Sequence, residues 1–593
     1  MAEWWQLASL IDTQTNVYEA LKDTPILPEL SFTPPSLDFI VSSQEEVLYP
    51  LILDSDVIII GGAYFGDEGK GKITDAVAGH PLITMIARMN SGENAGHTVS
   101  RNGKRYVFHL TPSGIMIPDK ICLIGPECVM DPINFMEKEI KLLADAGEDY
   151  KKKLFVGDVH IVGPHHKILD FALSAANSST LMGMSYVHAS KVMKKGLRLD
   201  HLFNGDVQKR RIEGELEIYR GFMKQAGKDE RQVLEELIQF AKTRKIPHHL
   251  FEFLEAKDKT AYIIDLYMKN VVNNEMFPER RDANRMINDA LGRGEKALIE
   301  SPQSFWLSNA TEKHWTSSTS AQTHAAGVLA STRINPSRYR IMVINVAKTP
   351  ADSRVGIGSN PSSFVPQDHF SKQKISSLDD LGDACTDFDA IQRSYFGSIQ
   401  KNGILKPVMY KDATGEYSIS SAMAASSSRL FGEKGATTGK PRVTGIFDCV
   451  AARQVNDAQG PYLSISAVDR GDFQDHVGMT VAYIFHKMDG SHEADCNGKT
   501  YRNGDIIRIG DPYPCDNVLK HCHPIVKVMR GWKDTPIAAG KRNPSDTLPD
   551  AVQEFLSAVE HFTGFKVISI GNGPNTKDMI YLGRKDAGRK AAN

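Results

Sequence analysis

Residues 57–79 read VIIIGGAYFGDEGKGKITDAVAG, and this stretch decides the fold. Val57–Ile60 is a short, wholly apolar run of the kind buried on both faces of a parallel sheet. The glycine-rich turn that follows leads into Ile73–Ala78, where a helix is expected to begin. Strand, glycine-rich turn and helix N-terminus together expose several backbone N–H groups. With the helix dipole they favour a bound phosphate. Gly66, four residues, Gly71 and Lys72 satisfy most of a phosphate-loop spacing, but Ile73 stands where Ser or Thr would hold magnesium. Asp67 and Glu68 are unfavourable beside an anion. They make sense there if a magnesium ion lies between carboxylate and phosphate, or if the carboxylate moves a proton.

Outward from this turn, Leu82–Ala87 reads as a second strand, and the loop after it carries Asn94–Thr98, NAGHT. Residues 1–55 read as an N-terminal extension, broken by Pro25, Pro28, Pro34, Pro35 and Pro50 into short acidic helical pieces. Residues 56–593 are expected to form the catalytic domain. Within it, about 200–299 is mostly helical by its apolar spacing, as in ERQVLEELIQFAKTRK. Residues 340–346, 482–486 and 567–570 read as further strands, and about 358–434, rich in Ser, Gly and Asp, as a loop-like insertion. Strands alternating with helices predict an α/β fold, a mostly parallel central sheet flanked by helices.

Composition excludes several classes. The chain has 593 residues and a formal net charge of −2, so no global field draws it to nucleic acid or anionic membrane. No apolar run approaches the ~20 residues that span a bilayer, and the N-terminal residues show no secretory leader. Seven scattered cysteines without a CxxC pair favour reduced thiols, and a cytoplasmic location is expected. The Cys/His cluster from Cys515 to His523 has no common zinc spacing and reads as a polar surface loop.

GDEGKGK, NAGHT and FHLTPSGI (108–115) resemble the adenylosuccinate synthetase family. Further segments follow in the same order: LMGMSYVHASKVMKKGLRL (181–199), ESPQ (300–303), WTSS (315–318), RVGIG (354–358), ATTGKPR (436–442) and GIFDCVAAR (445–453). VAY (481–483), RGW (530–532) and TGF…GNGP (563–574) complete the set. The resemblance implies a P-loop-like, GTPase-related ligase fold. It also implies a carbon–nitrogen ligase that joins IMP and L-aspartate in purine (AMP) biosynthesis, with GTP and Mg²⁺, as a homodimer. In such an enzyme the GTP γ-phosphoryl group moves to the purine C6 oxygen, a poor leaving group, and the aspartate amine then displaces phosphate.

By the same resemblance Asp67 matches the base that takes the N1 proton and, with Gly96, the metal site. His97 matches the acid that stabilises charge on the transferring group. Asn94, Thr180, Lys194, Gln303, Thr316 and Lys440 match the IMP contacts, and Thr437, Thr438 and Arg442 the aspartate loop. Gly66, Glu68, Gly69, Lys70, Gly71, Lys72, Gly96, His97, Thr98, Asp469, Gly571 and Gly573 match the nucleotide site, with Lys72 as its cation and Asp469 reading the guanine.

Several positions depart from the family pattern. Lys194 and Lys440 stand for arginines, as does Met182; lysine keeps charge but loses the planar fork. Ala467 replaces the lysine under the guanine and Gly571 replaces a serine, so ATP is an alternative donor. A ligase for another purine nucleotide, and a non-catalytic nucleotide-binding relative, are the other readings.

Overall fold

The structure is a computed structural model and describes residues 6–34, 39–94, 96–101, 104–173, 182–242, 244–435, 439–543 and 546–584. Its centre is a twelve-stranded sheet. Val57–Gly62 lies in the middle, hydrogen-bonded in parallel to Lys296–Ser304 on one side and Ile341–Lys348 on the other. Every residue of Val57–Gly62 is buried, as a strand covered on both faces requires. The sheet continues through Ile83–Ser91, Ile121–Met130, Leu154–Val156 and Glu279–Arg280 in one direction, all parallel. In the other it runs through Tyr462–Ser466 and Lys566–Gly571, also parallel. Met579–Arg584 and Phe39–Ser42 close that edge antiparallel. Parallel strands with helices between them are the expected class.

The central strand extends two residues beyond Ile60, and the helix after the turn starts at Lys70 rather than Ile73. The intervening turn is possible because Gly66 and Gly69 take φ of 100° and 88°, a region open to glycine at little cost. At Gly66 a side chain has no room either: a Cβ would lie 2.5 Å from Val355 Cγ2.

Two expectations change. Residues 358–434 are not loop-like: they hold helices Phe388–Gly397 and Ile419–Leu430 and the hairpin Met409–Asp412 with Gly415–Ser418. These elements bury a cluster of their own around Ile391, Tyr395, Ile419 and Met423. The mostly helical span of about 200–299 also supplies two sheet strands, Glu279–Arg280 and the start of Lys296–Ser304. Its helices, among them Gly205–Gln225 and Glu230–Ala241, sit beyond the sheet edge and pack on Pro164–Leu173.

The N-terminal segment is stitched to the rest rather than trailing from it. Phe39–Ser42 is an edge strand of the main sheet. Helix Gln44–Leu53 starts at a reciprocal capping box between Ser43 and Glu46. Asn402 Nδ2 donates to the Lys22 carbonyl at 3.0 Å and Lys527 Nζ to the Leu30 carbonyl at 2.8 Å. Phe32 stacks on His561 at 3.8 Å between ring centroids. Among the described residues no helix is long and apolar enough to cross a membrane.

Candidate active site

In an open parallel sheet the chain turns away from each strand at its carboxyl end, and those turns form a crevice for ligands. Here the candidate residues lie there. Val57–Gly62 leads into Gly66–Lys72, Ile83–Ser91 into Asn94–Thr98, and Lys296–Ser304 carries Glu300 and Gln303 near its end. Tyr462–Ser466 leads into Ala467–Asp469, and Lys566–Gly571 into Gly573.

The phosphate turn and the NAGHT segment are in direct contact. A Cβ on Gly71 would lie 3.1 Å from the Thr98 carbonyl oxygen and 3.4 Å from His97 Cβ. Gly71 is therefore glycine because the two motifs close on one another. Strand His97–Arg101 then returns as a hairpin with Lys104–Phe108.

His97 is buried, and three groups hold its ring. Nδ1 lies 2.5 Å from Glu300 Oε1, while Nε2 lies 2.8 Å from Arg88 Nη1 and 3.0 Å from the Pro302 carbonyl. Burial lowers the His97 pKa, and the Arg88 cation adds to it against the pull of Glu300. A neutral ring that donates from Nδ1 to Glu300 accepts at Nε2 from Arg88, whereas the Pro302 carbonyl is served only by a ring protonated at Nε2. Burial alone would raise the Glu300 pKa. His97 and Arg88, with donation from the Ser113 hydroxyl at 2.6 Å and its N–H at 3.0 Å, instead hold it down at about 2. Glu300 and Arg88 were not singled out in the sequence. The only signal was the place of Glu300 in ESPQ.

Asp67 sits at φ 57° on the rim of the turn, one-third exposed, and its Oδ2 is 2.7 Å from Arg442 Nε. Glu68 does the opposite. Its carboxylate is fully buried and accepts from Gly66 N–H at 2.8 Å, Lys70 Nζ at 2.7 Å and the Ser304 hydroxyl. Lys70 is thereby engaged inside the loop. The second acid of GDEGKGK needs no metal: it is neutralised within the turn, and what Glu68 and Lys70 offer a phosphate is backbone N–H. Burial lowers the Lys72 pKa to about 8, against Asp578 and Asp469, and its Nζ donates to the carbonyls of Gly573 and Asp578, both at 2.7 Å.

Gly571 is close to Lys72 and the Ser466–Ala467 backbone; a Cβ there would be 3.4 Å from Lys72 Nζ. Ala467 has φ 58° and Asp469 is half-buried, its carboxyl pushed up chiefly by burial. Ser466 Oγ donates to the Glu68 carbonyl at 2.6 Å, which joins this segment to the phosphate turn.

Of the other candidates, Asn94 Nδ2 reaches Thr319 Oγ1 at 3.3 Å, and its buried Oδ1 has no hydrogen-bond partner. Gln303 Oε1 accepts from the Ser91 hydroxyl at 3.2 Å, and Thr316 is exposed in the turn Glu312–Ser317. Arg442 and Lys440 leave a loop whose base is fixed by buried Glu433. That carboxylate pairs with Lys348 at 2.9 Å and with Arg470, the neighbour of Asp469. Lys194, at φ 60°, is exposed just past helix Met184–Val192. Thr180, Thr437 and Thr438 lie outside the described residues.

Among the described residues one cluster, His165, His166 and Glu215, has metal-ligand proximity. Gly163 N–H donates to His166 Nδ1 at 3.0 Å, which leaves the proton on Nε2 and takes that nitrogen out of a metal's reach. Hard oxygen donors fit magnesium better. The Asp67 carboxylate, one-third open to solvent at the crevice, and the Gly96 carbonyl are of that kind.

The family model for adenylosuccinate synthetase matches residues 58–580. The chain belongs to the adenylosuccinate synthetase family. It is 51% identical over 581 residues to the adenylosuccinate synthetase of Trypanosoma brucei brucei, covering 96% of both chains. It is 51% identical over 582 residues to that of Leishmania major, covering 96% of this chain and 82% of the relative. Adenylosuccinate synthetase 2 of Trypanosoma cruzi is 50% identical over 580 residues, with 96% and 94% covered. A solved structure of fully ligated adenylosuccinate synthetase from Plasmodium falciparum superposes with a TM-score of 0.61 at 20% identity, over 89% of this chain and 99% of that one. That likeness shows the shared fold. The chain is a ligase of the adenylosuccinate synthetase type.

Proposed function

We propose that the protein joins IMP and L-aspartate at the expense of GTP, through a 6-phosphoryl-IMP intermediate. The observation that carries this reading is the closure of the phosphate turn on His97 at Gly71, with Asp67 at the open rim of the same turn.

The reaction needs a base at purine N1, an acid toward the C6 oxygen and a cation for the incoming carboxylates. Asp67 is the base: it is the one carboxylate of the turn that is not consumed by the turn itself. His97 is the group that meets the C6 oxygen and the transferring phosphoryl, and it acts as the acid in its protonated form, with Nε2–H toward the substrate and Nδ1–H held by Glu300, which Ser113 holds in turn. Mg²⁺ would be held by Asp67 and the Gly96 carbonyl, and when bound it supplies charge neutralisation to the phosphates. Arg442 grips an aspartate carboxylate, and the family resemblance assigns Thr437 and Thr438 to the same substrate. A guanidinium can grip a carboxylate bidentately.

Both reactive side chains have protein partners: Asp67 pairs with Arg442, and His97 Nε2 lies beside Arg88 and the Pro302 carbonyl.

The IMP side is formed by Asn94, Gln303, Thr316 and Lys440, and the family resemblance assigns Thr180 to the same substrate. Lys194 lies in an exposed stretch with Val192 and Met193, at 79% and 45% exposure. That apolar surface supports a homodimer in which Lys194 reaches the IMP phosphate of a second copy. For the donor, Asp469 reads guanine from the segment that also touches Lys72 and Gly571. Ala467 favours a second reading in which ATP is also accepted, because no lysine packs on the base there.

The test is an absorbance assay with IMP, aspartate, Mg²⁺ and either GTP or ATP. Product formation with GTP is expected, together with loss of about 10²- to 10⁴-fold in kcat for Asp67→Asn. Near wild-type turnover by that variant would remove Asp67 from the base position.

A further inference from the structure

Cys496 ends the strand Glu493–Cys496, which pairs with Lys499–Arg502 in a hairpin. Cys515 immediately precedes the short helix Asp516–Leu519, which packs on that hairpin. The backbone N–H of Cys515 donates to Cys496 Sγ at 2.9 Å, and the Cys515 thiol donates to the Asp495 carbonyl at 3.9 Å, next to Cys496. Cys515 is partly exposed, whereas Cys496, at 6% exposure, is buried like the other five cysteines. One member of the pair therefore meets solvent and the other waits behind it. That is the arrangement of an attacking and a resolving thiol.

We propose that Cys496 and Cys515 are a redox site that closes to an intramolecular disulfide by exchange with a low-molecular-weight disulfide such as oxidised glutathione. The Cys515 thiolate attacks one sulfur of the small disulfide, forms a mixed disulfide and releases one small thiolate. The Cys496 thiolate then attacks the Cys515 sulfur and expels the second. The two cysteine protons pass to the two released thiolates, so two protein thiols are oxidised and one small disulfide is reduced. Burial, followed by the Cys515 side chain, pushes the Cys496 thiol up to about 11. The N–H of Cys515 is placed to stabilise its thiolate as it forms.

The pair has a short path to the crevice. Asp516, next to Cys515, lies 3.3 Å from buried His314 and accepts from Ser359 N–H at 3.2 Å. His314 packs edge-on against Phe65 of the phosphate turn at 5.1 Å, two residues from Thr316. Drawing Cys515 toward the hairpin shifts Asp516 and the turn that carries Thr316. This kinetic consequence rests on the IMP reading of that turn; the thiol chemistry does not.

The full-length protein is incubated with oxidised glutathione, alkylated and mapped without reduction. A Cys496–Cys515 cross-linked peptide is expected, with two of the seven thiols lost and both restored by dithiothreitol. Cys496→Ser should abolish the cross-link and leave a glutathione adduct on Cys515. KM for IMP in the cross-linked protein should rise by about threefold or more. Recovery of both cysteines alkylated and unlinked would overturn the proposal. Complete cross-linking with KM for IMP unchanged would overturn the path through Asp516 and leave the IMP assignment untouched.

Discussion

At the scale of single residues, Glu300 is the most informative side chain beyond the proposed base. It is fully buried and its carboxyl is held near 2, below the ordinary 4.5, by His97, Arg88 and Ser113 against the cost of burial. A folded-state pKa below the unfolded value means that the stability it contributes is complete above pH 4.5. That stability is lost as pH falls toward about 2. Glu300→Gln should flatten acid unfolding in that window and lower kcat by about 10- to 100-fold, because His97 loses the anionic partner that stabilises its protonated ring. An unchanged kcat and an unchanged acid transition would show that Glu300 neither orients His97 nor depends on it. Asp469→Ala is expected to weaken GTP binding and leave ATP binding within a few-fold; equal effects on both nucleotides would take Asp469 out of the guanine site.

At the scale of elements, glycine made the site legible. VIIIGG before GDEGKGK marks a strand, a turn and a helix with no need of long-range information, and the structure puts them there. What local sequence could not show is where the acids point. Asp67 and Glu68 are neighbours, yet one faces the crevice and the other is enclosed by Gly66 N–H, Lys70 and Ser304, a residue from a different strand. Helix Ile419–Leu430 was hidden for another reason. ISSAMAASSSRL has no apolar stripe, because Ser420, Ser421, Ser426, Ser427 and Ser428 are all buried. The Ser427 and Ser428 hydroxyls donate hydrogen bonds to the Met423 and Arg442 carbonyls, at 2.5 and 2.7 Å. Small polar residues buried in a packed layer, as these serines are, read as loop in a sequence. Gly71→Ala tests the closure of the two motifs. With Thr98 O at 3.1 Å from the new methyl, the hairpin must shift, and kcat should fall by more than about tenfold with little change in overall stability. Wild-type kcat would mean that the contact is slack.

At the scale of the whole molecule, the parallel order of the sheet follows from strands alternating with helices, and it places the candidate segments at the strands' carboxyl ends. The N-terminal segment was readable as broken by proline but not as part of the sheet, since Phe39–Ser42 finds its partner at Met579–Arg584, at the far end of the chain. Phe32→Ala removes its stack on His561 and its edge contact with Phe562 at 5.2 Å. It should cost about 1 to 2 kcal/mol in chemical unfolding and leave KM values unchanged. A variant with wild-type unfolding would show that the segment rests on the body without bracing it.

The account's central claim is that the purine C6 oxygen leaves as phosphate. IMP labelled with ¹⁸O at C6 is turned over with aspartate, GTP and Mg²⁺, and the released phosphate is weighed by mass spectrometry. The account predicts one ¹⁸O in each phosphate, with adenylosuccinate free of the label at C6. Unlabelled phosphate formed alongside product would contradict it.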